Sequence, residues 1–220
     1  MNTHLDHIVI GAATLDEGVR YVKRKLGVDI PPGGEHPQMG THNHVMRLGD
    51  DVYLEVVAVN PAAAAPDRPR WFGLDDPFVC ACLRHQPRLL TWVVNTADVA
   101  QLVQKSSYPF GPIEALSRGR LEWLITIPED GGLPASGLLP TLIQWRVDSH
   151  PARRMANLGC ELRGLEIYHA QMDWLGSILA EIGASPHIDL HALKKNTPPC
   201  LVAHIETPSG LKTLSSRPHI

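Results

Sequence analysis

The chain is poor in cysteine: Cys80, Cys82, Cys160 and Cys200 are the only four in 220 residues. None of them forms a C-x-x-C pair, which excludes a zinc ribbon and a thioredoxin-type redox motif. Reduced, structural thiols are the expectation. Long apolar runs are also lacking, and none approaches the ~18 residues that a membrane span needs. The opening stretch MNTHLDHIVIG has no basic region, no extended apolar segment and no small-residue cleavage site. A cytoplasmic protein with no membrane partner is therefore expected. Charge of one sign is missing too: 20 basic against 23 acidic residues leave −3. That balance is not the electrostatic footprint of a nucleic-acid binder, so no nucleic-acid partner is expected. There is no G-x-S-x-G elbow, and no G-x-G-x-x-G follows the first strand, which argues against hydrolase and dinucleotide-binding folds.

What is abundant is punctuation. Pro (19) and Gly (18) mark many turns, which suits several short strands better than a helical bundle. LDHIVIGA (Leu5–Ala12) reads as a strand. Thr14 and Glu17 offer a capping box for the helix that follows. Leu15, Val19, Val22 and Leu26 give that helix one apolar face, and Gly27 stands at its C-cap. After a Gly/Pro-rich loop, His42–Leu48 and Val52–Val59 read as strands around the turn Gly49–Asp51.

The order strand, helix, loop, strand, turn, strand recurs. Leu89–Asn95 is a strand, and Ala97–Gln104 is a short helix with Thr96 and Asp98 at its start. Leu121–Ile127 and Thr141–Val147 are strands. A third round starts at Leu165–Ala170. Its helix carries Met172, Leu175, Ile178, Leu179 and Ile182 and stops at Gly183; Cys200–Glu206 and Leu211–Leu214 close the round. Asn60–Arg70 is the best linker candidate. Laying the second round on the first sets Trp92 opposite His7 and Gln144 opposite Glu55. The intervals are then 55 − 7 = 48 and 144 − 92 = 52 positions.

His7 and Glu55 interrupt otherwise apolar strands. With a period of two, His7 shares a face with Leu5 and Val9, and Glu55 with Tyr53 and Val57. A carboxylate on a buried face must be paired, protonated or metal-bound. The bland alternative is that this face meets solvent, as antiparallel sheets permit. His36, His42 and His44 lie close together, but 12 histidines make such proximity easy by chance. His187 and His191 read best as part of a polar strand face.

The repeated βαβββ unit, with LDHIVI at its head and YLE in its closing strand, resembles the vicinal oxygen chelate superfamily. Within it, GGEHPQMGTHNHVMRLGDDVYLEVVA (Gly33–Ala58) resembles the glyoxalase-like domain family, whose run is GG-x-HP-x-x-GT-x-N followed by a YLE strand. The resemblance implies an α+β fold, with repeated βαβββ modules forming a cupped mixed β-sheet and helices outside. Residues 1–150 would form the paired modules, and 151–220 a third, partial βαββ module packed on the same unit.

The resemblance further implies an enzyme acting on a small molecule with vicinal oxygens by isomerase, lyase or epimerase chemistry. Glu55 and His7 would be catalytic. His36, Thr41, Asn43, Trp92 and Gln144 would bind ligand, with Trp92 as an apolar wall facing His7. One divalent metal ion is the implied cofactor, with His7 and Glu55 as donors and Gln144 as a weak third. That set falls short of the three protein ligands of catalytic zinc and suits only a harder ion. The alternative is a non-catalytic protein that binds or sequesters a small molecule. A homodimer is expected in either case.

Overall fold

A computed structural model describes residues 3–193 and 197–217. Its first half follows the sequence pattern closely. Strand β1 (Thr3–Gly11) leads into helix α1 (Leu15–Leu26). The Thr14 hydroxyl accepts from the Glu17 amide at 3.3 Å, and Gly27 ends the helix in the left-handed region at φ 79°. Strands β3 (Thr41–Arg47) and β4 (Tyr53–Val59) follow. The loop before them holds an additional strand, β2 (Pro32–His36). Its Pro-Gly-Gly sequence carries no strand propensity. It survives because it is an edge strand, paired only with β3.

The second module repeats the plan. Helix α2 (Pro77–His85) precedes it, started by Asp76, whose carboxylate accepts from the Phe78 and Val79 amides at 2.8 Å. That helix is absent from the sequence reading, although an Asp cap followed by Pro at the first helical position is a start signal. Then come β5 (Arg88–Thr96), α3 (Val99–Lys105), β6 (Ile113–Arg118), β7 (Leu121–Thr126) and β8 (Thr141–Trp145). Strand β6, the second one that the sequence reading lacks, is again an edge.

The two modules share one mixed, curved eight-stranded sheet in the order β2-β3-β4-β1-β5-β8-β7-β6. Each opening strand pairs in parallel with its own closing strand, β1 with β4 and β5 with β8, and the modules join through the antiparallel pair β1–β5.

The third segment builds a separate sheet from β9 (Glu161–His169), β10 (Asp189–Ala192), β11 (Cys200–Thr207) and β12 (Gly210–Ser215), with helix α4 (Met172–Glu181). Its order is β10-β9-β11-β12. Here the opening strand β9 pairs in parallel with β10, the strand that follows the helix, and not with the closing strand β12, so this segment does not copy the strand order of the other two.

The faces of the large sheet divide the labour. One carries Ile8, Ile10, Leu54, Val56, Trp92 and Val94. They share a core with α1, α3 and α4 and with Leu165, Ile167, Leu201 and Ala203 of the small sheet. Helices α1, α3 and α4 and the small sheet therefore cover one face, whereas α2 places Leu83 in the cluster of the other. The concave face carries a second apolar cluster, including Val9, Val57, Val93, Ile125 and Ile143, and it is there that polar groups are buried. Among the described residues, no helix is long and apolar enough to cross a membrane.

Candidate active site

His7 and Glu55 project into the concave face, as the strand period demands, and both are buried. Their imidazole Nε2 and carboxylate Oε2 lie 3.5 Å apart. A third ionisable group joins them. Along the β1–β5 pair the register slips between Leu5 and His7, so Asp6 is the extra residue of a bulge. A bulge re-aims side chains, and Asp6 turns to the same side as His7. Its carboxylate accepts from His7 Nδ1 at 2.5 Å, Trp145 Nε1 at 2.7 Å and His150 Nε2 at 2.8 Å. Period-two reasoning puts Asp6 on the wrong face, which is why the sequence concealed it.

These contacts fix the protonation states. Burial alone would lower His7, but hydrogen bonds and attraction from Asp6 and Glu55 raise it to about 9. Burial would raise Glu55, yet His7 and Asn43 hold it at about 2. Asp6 is likewise held below its usual value by His150 and His7 against its burial. At neutral pH an imidazolium therefore sits between two carboxylates, with the Tyr53 ring stacked on it at 4.3 Å and 19°.

The GG-x-HP-x-x-GT-x-N run builds the rest. Asn43 Nδ2 donates to Glu55 Oε1 at 2.6 Å, and Asn43 Oδ1 accepts from Arg118 Nη1 at 3.1 Å. The amide orientation is thus fixed at both ends. Gly33 leaves room for this amide: a Cβ there would lie 2.3 Å from Asn43 Oδ1. His36 Nε2 lies 3.1 Å from the same Arg118 nitrogen, and its Nδ1 lies 3.2 Å from the Thr41 hydroxyl. Arginine only donates, so His36 Nε2 must present its lone pair. Burial, with help from the Arg118 charge and against the pull of Glu55, lowers His36 to about 4, so it is neutral. Gly40, at φ 58°, makes the left-handed turn that sets Thr41 behind His36.

Trp71, Trp123, Trp145, Phe72, Ile125, Ile143 and Met155 complete the walls of a cavity of about 30 Å³. That is room for a water or two, not for a substrate without side-chain movement. Of the residues expected from sequence, His7, Glu55, His36 and Asn43 line this cavity, and Thr41 holds His36 from behind.

Trp92 and Gln144 are elsewhere. Trp92 is fully buried in the core under the helices, its Nε1 donating to the Leu138 carbonyl at 3.0 Å. Gln144 Oε1 accepts from the Val99 amide at 3.0 Å, at the start of α3. Both corrections have one cause. In the parallel pairs Val9 faces Glu55 and Asn95 faces Ile143, so the second-module equivalents of His7 and Glu55 are Val93 and Ile143. The sequence alignment was one residue off in each strand, and one residue exchanges the faces. Asp6, Tyr53, Trp145, His150 and Arg118 also escaped the sequence reading. His150 lies in the loop after β8, and no local signal marks Arg118.

The corrected register also decides how well a divalent ion would fit. Only the first module offers donors, His7 and Glu55, while the second offers aliphatic side chains. Among the described residues no group of three or more His, Cys, Asp or Glu side chains could hold a metal ion. The donor set does not fit the implied ion, and no step is routed through one.

Comparison with known proteins agrees with this architecture. A hypothetical protein from Staphylococcus aureus superposes over 97% of this chain and 85% of its own, at a TM-score of 0.57 and 13% identity. A methylmalonyl-CoA epimerase in complex with methylmalonyl-CoA covers 68% of this chain and 99% of its own, at 0.42 and 18%. The Mycobacterium tuberculosis epimerase covers 64% and 85%, at 0.39 and 14%. No curated protein matches the sequence. The model of the glyoxalase-like domain matches residues 5–183, and the chain belongs to that family, within the vicinal oxygen chelate superfamily.

Proposed function

We propose that the protein is an enzyme that moves a proton on a small molecule with adjacent oxygens, by isomerase-, epimerase- or lyase-type chemistry. The observation that carries this is the buried Asp6–His7–Glu55 row facing a cavity. Burying three ionised groups is costly unless they are paired, and strongly shifted groups in a cleft are the mark of a working site.

The long 3.5 Å approach of His7 to Glu55 suits the chemistry. A substrate carbonyl oxygen entering there takes the His7 Nε2 proton as its hydrogen bond. Glu55 then loses the partner that holds it acidic, and its basicity rises. Glu55 removes the proton from the carbon beside the carbonyl. The C–H electron pair moves into the carbonyl, and the enediolate oxygen is stabilised by the imidazolium. The proton of the neighbouring hydroxyl passes to the enediolate oxygen, and Glu55 returns its proton to the former carbonyl carbon, which completes an isomerisation. Asp6 keeps His7 protonated and oriented throughout.

The test is exchange: the protein in D₂O is incubated with small hydroxy-carbonyl compounds and followed by NMR. Deuterium appearing beside the carbonyl, and lost in Glu55→Gln, supports the reading. A second reading, a binding protein without catalysis, is favoured by Val93 and Ile143 at the family's donor positions. It predicts ligand binding with no exchange in either protein.

A further inference from the structure

Arg118 is shared by two spaces. It lines the inner cavity, and it also lines an open groove of about 680 Å³ with Gly33, Gly34, Glu35, Ser117 and Gly119. It is the last residue of β6, one edge of the large sheet, and it reaches to β2 and β3 at the other edge. Its Nη1 serves both His36 and Asn43. Its Nη2 and Nε make no hydrogen bond among the described residues, and it forms no ion pair there. The buried carboxylates nearby, Asp6 and Glu55, are both engaged by His7. Gly34 leaves the arginine its path, since a Cβ at that position would come within 3.2 Å of Arg118 Cδ.

A guanidinium presenting a free Nε/Nη2 edge offers a planar fork matched to a carboxylate. We infer that Arg118 is a specificity residue, and that the molecule taken up here is a small carboxylic acid with an oxygen on the adjacent carbon, a 2-hydroxy or 2-oxo acid. This names the substrate class of the site proposed above and rests on that reading for the chemistry, not for the binding. The acid's carboxylate arrives through the groove and takes the free edge of Arg118. Its second oxygen then points inward, toward His7 and Glu55. Arg118, drawn to the ligand, releases the His36 Nε2 lone pair and the Asn43 carbonyl to the cavity.

Binding is read by quenching of the tryptophans in the wall, using lactate, pyruvate, mandelate and phenylpyruvate, each against its primary amide. At least one acid is expected to bind about 10- to 100-fold more tightly than its amide, the range for hydrogen bonds to a charged group. Arg118→Ala should erase that preference and Arg118→Lys should recover part of it. Arg120→Ala, on the same hairpin but exposed, should leave it intact. Thermal melts that match wild type show that the variants fold. Acids and amides binding alike, no acid binding, or a preference that survives in Arg118→Ala each overturn the inference. Exchange on neutral hydroxy-carbonyl compounds with no Arg118-dependent acid preference would sink it while sparing the enzyme. Arg118-dependent binding of acids without exchange would do the reverse.

Discussion

The two modules of the large sheet are built alike and used differently. Equivalent positions on the concave face read His7 and Glu55 in the first module and Val93 and Ile143 in the second. His7 and Val93 even sit opposite each other across the β1–β5 pair. The same backbone thus presents a charged half-site on one side and an apolar wall on the other. The second half cannot complete a donor set for a metal ion, but it can lower the local dielectric and sharpen every charge in the first.

The comparison breaks most visibly by truncation. His7→Ala leaves two buried carboxylates without their shared counter-ion, and loss of one partner from such a cluster costs about 3–5 kcal/mol. Chemical denaturation should show that loss, together with complete loss of proton exchange. Ile143→Val at an equivalent depth removes one methylene and should cost about 0.5–1.5 kcal/mol, at every pH alike. Equal costs for the two would mean that the charged row is not electrostatically linked to stability.

The pH profile sharpens the same contrast. His7 is raised from 6.5 to about 9, so its contribution is complete below 6.5 and is lost as pH climbs toward 9. Glu55 is lowered from 4.5 to about 2, so its contribution is complete above 4.5 and is lost as pH falls toward 2. His36, buried neutral, costs stability as pH falls from 6.5 toward 4, because the unfolded chain takes up a proton that the folded one refuses. Stability should therefore peak near pH 6.5. In His7→Asn the decline between 6.5 and 9 should flatten, whereas Ile143→Val should keep the wild-type shape. A mutant profile with an unchanged alkaline limb would refute the assignment.

How much of this was legible beforehand follows from what each signal measures. Caps, apolar helix faces and alternating strands are local, and α1, β3 and β4 stand where Thr14, Gly27 and the hydrophobic pattern put them. His7 and Glu55 were visible because a polar residue inside an apolar strand is itself a local anomaly. Asp6 was hidden by a bulge, which no periodicity registers, and Arg118 by distance, since it meets His36 from 82 positions away. Edge strands β2 and β6 owe their structure to a neighbour and not to their own residues. Trp92 and Gln144 show the reverse error: the repeat was real, but a loose alignment cannot hold a one-residue register.

Trp92 supplies the smallest effect and the cleanest control on that register. As a pocket wall, it would change ligand affinity when trimmed. Seated on the covered face with its indole N–H on Leu138, it should behave as core. Trp92→Phe gives up one buried hydrogen bond, about 1 kcal/mol, and a small volume. Denaturation should register that loss, while acid binding and proton exchange at pH 7 stay at wild-type levels. A selective change in affinity with unchanged stability would return Trp92 to the concave face and undo the equivalence of His7 with Val93.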